Sequence, residues 1–252
     1  MAEPLLLTTT RVSTFREQQL LTAATAFFFL RDERLFAVTS RHVLHDEATG
    51  HFPDRIELVL HVDATDLTRT VSFSILLYSE GLAVWRQGED SGGAVDVAVI
   101  ELDRAKLPEA SVMRAFEPHH IQLPTPEVEV GASLRVVAFP LGFYDTRHHL
   151  PVVRHAIVAS SFGVRFEGQG YFLTDGRMHR GTSGAPVVRR VDEDDSIPWR
   201  LMGVHSARLD MSNRDAAQDE ILGLNCTWYA DILLALTEKD TGSGASVDVR
   251  RP

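Results

Sequence analysis

Short stretches of strand-forming residues recur along most of this sequence, and this pattern limits the folds that the chain can adopt. Apolar and polar residues alternate along Arg55 to Val62 and Val71 to Leu77, which is the period of half-buried strands. The charged turn 31–34 separates two apolar runs and predicts a hairpin across 25–39. Further strands are predicted at Val95 to Leu102, Ser133 to Pro140, Val152 to Ser160, Tyr171 to Thr174, Ala185 to Arg189 and Leu201 to Val204. This series predicts an all-β sandwich or barrels rather than a parallel sheet.

Helical character is confined to two segments, and a proline-rich stretch divides the chain. Thr14 to Ala24 is weakly helical, and the Leu-rich segment Trp228 to Leu236 has Thr227 as its N-cap. The prolines within 107–130 indicate a linker between two halves. We therefore predict an N-terminal segment (1–19), a first half (20–110), a linker (111–130), a second half (131–236) and a disordered polar tail (237–252).

The charge balance and the single cysteine exclude several classes of function. The 252 residues carry 25 Lys and Arg against 35 Asp and Glu, which gives a formal net charge of −10. A chain this acidic is a poor partner for nucleic acid or for an anionic membrane surface. Cys226 is the only cysteine of the sequence. An intramolecular disulfide and a metal site built from several cysteines are therefore both excluded.

No apolar run of the sequence is long enough to cross a bilayer as a helix. The longest, Leu20 to Leu30, has about 11 residues, whereas a spanning helix needs about 20. The N-terminus also lacks the basic region and the long apolar run of a signal peptide. We therefore expect a cytoplasmic protein whose partners are neither a membrane nor a nucleic acid.

The segment 181–186 (GTSGAP) carries the strongest chemical signal. Its glycines flank Ser183, which permits a tight turn that points the hydroxyl outward and leaves backbone N–H groups to hold an oxyanion. A serine hydroxyl needs a neighbouring base, and His42, just after the strand 37–39, is the candidate. A carboxylate must orient that histidine. Asp96 is the candidate, because an acid inside the apolar run 95–102 is buried only when it is paired.

In the order His, Asp, Ser, three segments resemble the chymotrypsin-like (trypsin-fold) serine protease superfamily. They are SRHVL at 40–44, VDVAVI at 95–100 and GTSGAP at 181–186. The chain is most similar to bacterial, disulfide-free trypsin-like peptidases over residues 20–236. The resemblance implies two six-stranded antiparallel β-barrels and a C-terminal helix. His42 and Asp96 would come from the first barrel and Ser183 from the second.

The resemblance also implies a serine endopeptidase that cuts protein or peptide substrates through an acyl-enzyme and needs no cofactor or metal. The oxyanion hole would fall on Gly181, Thr182 and Ser183, with the N–H groups of Gly181 and Ser183 as donors. The sequence leaves open whether a regulatory protein partner gates the cleft. The alternative function is a catalytically silent protease fold that binds a peptide or a partner by β-augmentation.

A second serine and several histidines compete for a functional role. The string EDSGG at 89–93 resembles the nucleophile segment of the superfamily, but no proline follows Ser91, and Ser91 lies close before Asp96. Asp90 and Asp103 could replace Asp96, although neither has apolar neighbours on both sides. The pairs at 119–120 and 148–149 are adjacent histidines, which point to opposite faces of a strand. We therefore predict no metal site.

The strand 201–207 resembles the one that lines the substrate cleft in the superfamily. His205, Ser206 and Ala207 are therefore predicted to contact the substrate, together with Arg180 upstream of the nucleophile. His205 lies where glutamyl endopeptidases and some viral chymotrypsin-like proteases have a similar histidine at the floor of the primary pocket. An imidazole there can donate to a carboxylate or amide oxygen, which implies a preference for Glu or Gln before the cut bond. The alternative is that His205 is an ordinary strand residue.

Overall fold

The computed structural model describes residues 2–125, 127–191, 197–209, 222–239 and 249–251, and strands make up most of its regular structure. The strands of the N-terminal half are β1 (Thr9–Arg16), β2 (Gln19–Arg31), β3 (Arg34–Thr39), β4 (Arg55–His61), β5 (Thr70–Leu76), β6 (Tyr78–Ser79), β7 (Leu82–Ala83), β8 (Trp85–Asp90) and β9 (Gly93–Leu102), with the short helix α1 (Arg41–Leu44) after β3. The C-terminal half contains β10 (Ser133–Ala138), β11 (Val152–Val158), β12 (Tyr171–Asp175), β13 (Pro186–Arg190), β14 (Trp199–Arg208), β15 (Leu224–Tyr229) and the helix α2 (Ile232–Leu236).

The N-terminal half forms an open seven-stranded sheet rather than a closed six-stranded barrel. Its strand order is β5-β4-β1-β2-β3-β9-β8, and β6 and β7 form a separate pair. Within the described part of the chain, no ladder joins β5 to β8, so the sheet keeps two edges. The predicted pair of barrels is therefore confirmed for one half only. Alternation along a strand decides which face is buried, but it does not decide which edges of a sheet meet.

The sheet begins before residue 20, within the predicted N-terminal segment (1–19). The strand β1 pairs with β2 on one side and with β4 on the other. The prediction of a weak helix over Thr14 to Ala24 is therefore wrong, because these residues lie in β1, β2 and the turn between them. Val12 and Thr14 are fully buried on one face of β1. Pairing on both sides and this burial together override a weak helix propensity.

The C-terminal half closes into a six-stranded antiparallel barrel in the order β10-β11-β12-β15-β14-β13. Closure comes from β13, which pairs back onto β10. The predicted helix over Trp228 to Leu236 is shorter than expected, because Trp228 pairs with Val204 of β14 and with Tyr171 of β12. The helix α2 begins only at Ile232.

A single hydrophobic cluster contains side chains from both halves and fixes them against each other. Phe27, Phe29 and Phe36 of the open sheet are fully buried in it, together with Val204 and Trp228 of the barrel. Burying one such phenylalanine contributes about 1.5–3 kcal/mol. The two halves therefore share a continuous core.

The proline-rich segment makes backbone hydrogen bonds to both halves. The backbone of Phe116 bonds to β2 on both sides, from Leu30 N–H at 2.8 Å and to the Phe28 carbonyl at 2.9 Å. Gln122 then donates its N–H to the carbonyl of Leu201 in the barrel, at 2.9 Å. Of the predicted disordered tail, residues 240–248 and 252 lie outside the described residues. Among the described helices, none is both long and apolar enough to cross a membrane.

Candidate active site

The turn after β3 places His42 beside Asp96. Ser40 is the N-cap residue of α1, and His42 is in its single turn. Asp96 lies on β9, which pairs with β3. Its Oδ1 accepts the backbone N–H of His42 at 2.8 Å, and its Oδ2 lies 2.6 Å from His42 Nδ1. These two contacts fix both the backbone and the ring of His42 against the carboxylate.

Asp96 also receives a hydrogen bond from the opposite half of the molecule. Ser206 of β14 donates its hydroxyl to Asp96 Oδ2. Burial raises the pKa of Asp96, but the hydrogen bonds and charge of His42 and the Ser206 hydroxyl outweigh it and lower the pKa below the usual 3.8. Asp96 is therefore ionised at neutral pH, and its carboxylate ties the barrel to the open sheet.

The contacts of His42 determine which nitrogen of its neutral ring carries the proton. Burial lowers the pKa of His42, but the hydrogen bond and charge of Asp96 outweigh it and raise the pKa above 6.5. Because an ionised carboxylate only accepts hydrogen bonds, Nδ1 carries the proton of the neutral ring and Nε2 has a lone pair. One third of the His42 side chain is exposed, at 33%.

Two glycines give shape to the turn at 181–184, here called the nucleophile turn after its candidate nucleophile Ser183. Gly181 and Gly184 have φ angles of +89° and +83°, which other residues rarely adopt. A Cβ on Gly184 would lie 2.2 Å from the Thr25 carbonyl oxygen and 2.3 Å from Thr39 Oγ1. The glycine therefore allows the turn to pack against the middle of β2 and the end of β3, and β3 leads directly to the segment that carries His42.

The hydroxyl of Ser183 is available for chemistry. Its backbone carbonyl accepts the N–H of Thr25 at 3.0 Å, which holds the residue in place. The hydroxyl itself bonds to no residue in the described part of the chain, including His42, and the side chain is partly exposed. Hydrogen bonds between a nucleophile and its base are often long in free enzymes and tighten when substrate binds. The turn therefore presents an unpaired hydroxyl at the strand end that carries the histidine.

The backbone of the same turn offers two N–H groups without acceptors. Among the described residues, nothing accepts the N–H of Gly181 or Ser183. The carbonyl of Arg180 accepts the N–H of Leu141 at 2.6 Å, and in a planar peptide this turns the N–H of Gly181 the opposite way. The N–H of Thr182 donates to the His179 carbonyl at 3.2 Å. An oxyanion at this turn would therefore meet the N–H groups of Gly181 and Ser183, and Thr182 would contribute no backbone donor.

Thr25 is a positioning residue that sequence reasoning missed. Its hydroxyl donates to the Gly181 carbonyl at 2.7 Å and accepts the N–H of Phe139 at 3.2 Å. Its carbonyl accepts the Thr39 hydroxyl at 2.8 Å. One threonine therefore joins the nucleophile turn to both β2 and β3. The available signal is that Thr25 interrupts the apolar run 20–30, which is a reason to ask what its hydroxyl bonds.

The predicted substrate-binding residues fall into two groups. Arg180 and Ala207 are exposed beside the nucleophile turn, whereas Ser206 turns toward Asp96. His205 is only 2% exposed. Burial is the main cause that lowers the pKa of His205 to about 3, and the nearby charge of His42 lowers it further. His205 is therefore a neutral imidazole, able to give one hydrogen bond but not a positive charge.

The remaining polar clusters singled out in the sequence lie outside this arrangement. The hydroxyl of Ser91 accepts a hydrogen bond from Arg165 Nη1 at 3.0 Å, and Arg165 also pairs with Asp90. This contact joins the β8–β9 turn to the loop after β11 and leaves Ser91 without a histidine. The rings of His119 and His120 contact each other, with centroids 3.9 Å apart and planes tilted by 37°. They do not point to opposite faces of a strand, because the two residues lie in the short 3-10 helix Pro118–His120. Within the described ranges, no three His, Cys, Asp or Glu side chains could hold a metal ion.

Cys226 is expected to react slowly with thiol reagents. Burial is the main cause that raises the pKa of its thiol to about 11, and Tyr171 is its hydrogen-bond partner. At pH 8 the thiolate fraction should be lower than that of a free cysteine by on the order of 100-fold. Alkylation by iodoacetamide, followed by mass spectrometry, measures this rate. Cys226→Ser and reducing agents should leave any peptidase activity unchanged, and rapid labelling at pH 8 would contradict the assignment.

Comparison with known proteins identifies a family for this chain and solved structures with a similar fold. Residues 24–194 match the family described as "Trypsin-like peptidase domain". No curated protein matches the sequence. The fold is similar to that of the HtrA-type protease AlgW with tripeptide (16% identity, TM-score 0.52, covering 91% of this chain and 58% of that one). It is also similar to a serine endoprotease from Yersinia pestis (14% identity, TM-score 0.53, covering 91% and 61%).

A third solved structure matches this chain over most of the length of both proteins. The Rv3671c protease from M. tuberculosis in its active form is 13% identical, with a TM-score of 0.51, and the match covers 97% of this chain and 82% of that one. The chain spans about three-fifths of the length of the first two proteases. At such identities these similarities establish the fold.

Proposed function

Because this chain belongs to the trypsin-like peptidase domain family, we propose that it is a serine endopeptidase whose catalytic triad is Ser183, His42 and Asp96. The observation that carries the proposal is the network in which Asp96 accepts hydrogen bonds from His42 and from Ser206. This network lies beside the turn that carries the unpaired hydroxyl of Ser183. The N–H groups of Gly181 and Ser183 in that turn have no acceptor among the described residues. A nucleophile, an oriented base and oxyanion donors are the three parts that acyl transfer requires.

In this mechanism, His42 Nε2 removes the proton of Ser183 as its Oγ attacks the scissile carbonyl carbon. The N–H groups of Gly181 and Ser183 hold the oxyanion, and a single donor of this kind contributes about 2.7–4 kcal/mol to catalysis. The Asp96 carboxylate stabilises the imidazolium that forms. The imidazolium then protonates the leaving amine, the peptide C–N bond breaks, and an ester on Ser183 remains. A water molecule, deprotonated by His42, hydrolyses that ester and restores the hydroxyl.

We propose further that the enzyme prefers Glu or Gln before the cut bond. The exposed edge at Ala207 pairs with the substrate backbone, and His205 lies at the floor of the primary pocket as a neutral donor. Arg180, exposed beside the nucleophile turn, adds positive charge at the mouth. Digestion of a peptide library, with the cut sites read by mass spectrometry, tests this preference. Equal cutting after Leu or Arg would contradict it.

A fluorophosphonate probe separates catalysis from silent binding. An active triad should label at Ser183 and lose the label when His42 is replaced by alanine, because only an activated hydroxyl attacks the phosphorus. The matched control is Ser91→Ala, which removes the other candidate serine and should keep the label. A folded wild-type protein that binds peptides yet never labels would favour the catalytically silent alternative.

The pH profile should reveal a histidine base with a raised pKa. His42 must be neutral to accept a proton, and Asp96 raises its pKa above 6.5. Activity should therefore be full at alkaline pH and fall as the pH decreases through a value above 6.5. Initial rates at low substrate concentration give kcat/KM across pH 5 to 9. A flat profile between pH 5 and 8 would exclude His42 as the base.

A further inference from the structure

A small cavity lies beside the segment that runs into the nucleophile turn. Its volume is about 40 Å³, and it is lined by residues 176–179, Arg208 and residues 223–225. Residues 176–179 lead directly to Gly181, and Arg208 follows Ser206 by two positions on β14. On the proposed function, on which this inference rests, a cavity in this place receives the side chain before the cut bond.

The strand face that includes the cavity-lining residue Asn225, here called the floor, is polar and uncharged. Asn225 and Thr227 alternate along β15 and so share one face, and His205 is the partner of Thr227 across the ladder. Asn225 and Thr227 are fully buried, and His205 is nearly so. Because burial lowers the pKa of His205 to about 3, none of the three side chains is charged at neutral pH.

Asn225 has a fixed amide orientation and an unused acceptor. Its Nδ2 donates to the carbonyls of Gly176 and Gly223, both at 2.8 Å, and to that of Thr174 at 3.3 Å. Since carbonyls only accept, these bonds determine which amide atom is the nitrogen. Oδ1 is buried and has no hydrogen-bond partner in the described part of the chain. A buried acceptor without a donor is costly, so a ligand that supplies an N–H gains affinity there.

We propose that Asn225 is a specificity-determining residue whose Oδ1 accepts an N–H from the carboxamide of a substrate glutamine. The enzyme then selects Gln over Glu before the cut bond. A carboxylate has no proton to donate and would place its own oxygen against Oδ1. His205, whose ring bonds to no described residue, gives an N–H to the amide oxygen. A glutamine satisfies both buried groups, and a glutamate satisfies one and opposes the other.

The charges at the rim act in the opposite direction, so the floor and the rim predict different outcomes. The exposed side chains of Arg177 and Arg208 line the cavity, and their positive charge attracts glutamate. Asp175 is also exposed, but it is not among the lining residues, and its negative charge opposes that attraction. Exposed charges are screened by salt and water, whereas the contacts of the buried floor are not. Selection of Gln over Glu therefore identifies the floor as the determinant.

The test compares matched peptides with Gln, Glu, Met or Ala before the cut bond. Met has nearly the shape of Gln without its hydrogen bonds. We expect kcat/KM for Gln to exceed that for Glu and Met by about 10- to 100-fold, as expected for one unsatisfied buried group. Glu equal to or better than Gln would overturn the inference, as would a Glu preference that Arg177→Gln abolishes.

Two further measurements keep the result decisive. Asn225→Ala should bring the ratio of Gln to Glu close to one, because His205 can still donate to an oxygen of either side chain, and Gln should keep part of its advantage over Met. Active enzyme is counted by fluorophosphonate labelling. If this variant does not fold, the inference is tested by the wild-type enzyme alone, through the ratios of kcat/KM for the Gln peptide to those for the Met and Glu peptides. Calorimetry of uncut peptides with Ser183→Ala reports selectivity without catalysis. Gln-selective binding by a wild-type protein that never labels would refute the proposed function and keep the inference.

Discussion

Replacing Ser183 with alanine is expected to lower kcat by on the order of 10⁶. The hydroxyl is partly exposed and makes no hydrogen bond within the described ranges, so its removal leaves no cavity and no unpaired partner. The turn should keep its shape, because the backbone of Thr25 still donates to the carbonyl of residue 183 at 3.0 Å. Assays stopped at fixed times, on a peptide that the wild-type enzyme cuts, measure the rate of product formation. Thermal unfolding checks that the variant keeps its fold.

Ser91→Ala is the matched control for this substitution. Ser91 loses only one hydrogen bond to Arg165, in the β8–β9 turn. We expect activity near that of the wild type and a small loss of stability, of about 1 kcal/mol for a single hydrogen bond. A result in which the Ser91 variant is inactive and the Ser183 variant is active would reverse the assignment of the nucleophile.

Replacing Asp96 with asparagine should lower the rate by about 10⁴. In the native protein the carboxylate only accepts, so it holds the proton of His42 on Nδ1 and leaves Nε2 as the base. An asparagine can turn its amide N–H toward Nδ1, which moves the ring proton to Nε2 and blocks its function as base. Rates at saturating substrate measure kcat.

The pH dependence of the same variant distinguishes a lost orientation from a lost structure. The charge and hydrogen bond of Asp96 raise the pKa of His42 against the effect of burial. Without them, the pKa of His42 should be lower, so the residual activity of the variant should fall at a lower pH than the activity of the wild type does. Ser206→Ala keeps the charge and should have a smaller effect on both rate and profile. An Asp96→Asn variant with the wild-type rate and profile would remove Asp96 from the triad.

Local chemistry explains why the candidate site could be predicted from the sequence. A serine between two glycines, a histidine at a strand end and one acid in an apolar run are each recognisable without neighbours in space. Their order along the chain led to the family that residues 24–194 match. The period of two along most strands likewise predicted an all-β protein, because burial of one face is a local property of a strand.

Tertiary structure decided the features that depend on contacts between distant segments. The N-terminal sheet stays open because its edges do not meet, and no strand pattern encodes that. Trp228 belongs to β15 rather than to a helix because two neighbouring strands pair with it.

The same reason applies to the cleft. Thr25 binds the nucleophile turn and Asn225 holds three carbonyls, and neither role follows from the adjacent residues. The sequence by itself determined which side chains could carry the chemistry. Only the closed barrel and its packing decided which buried polar atoms remain unpaired, since pairing depends on what lies across space and not along the chain.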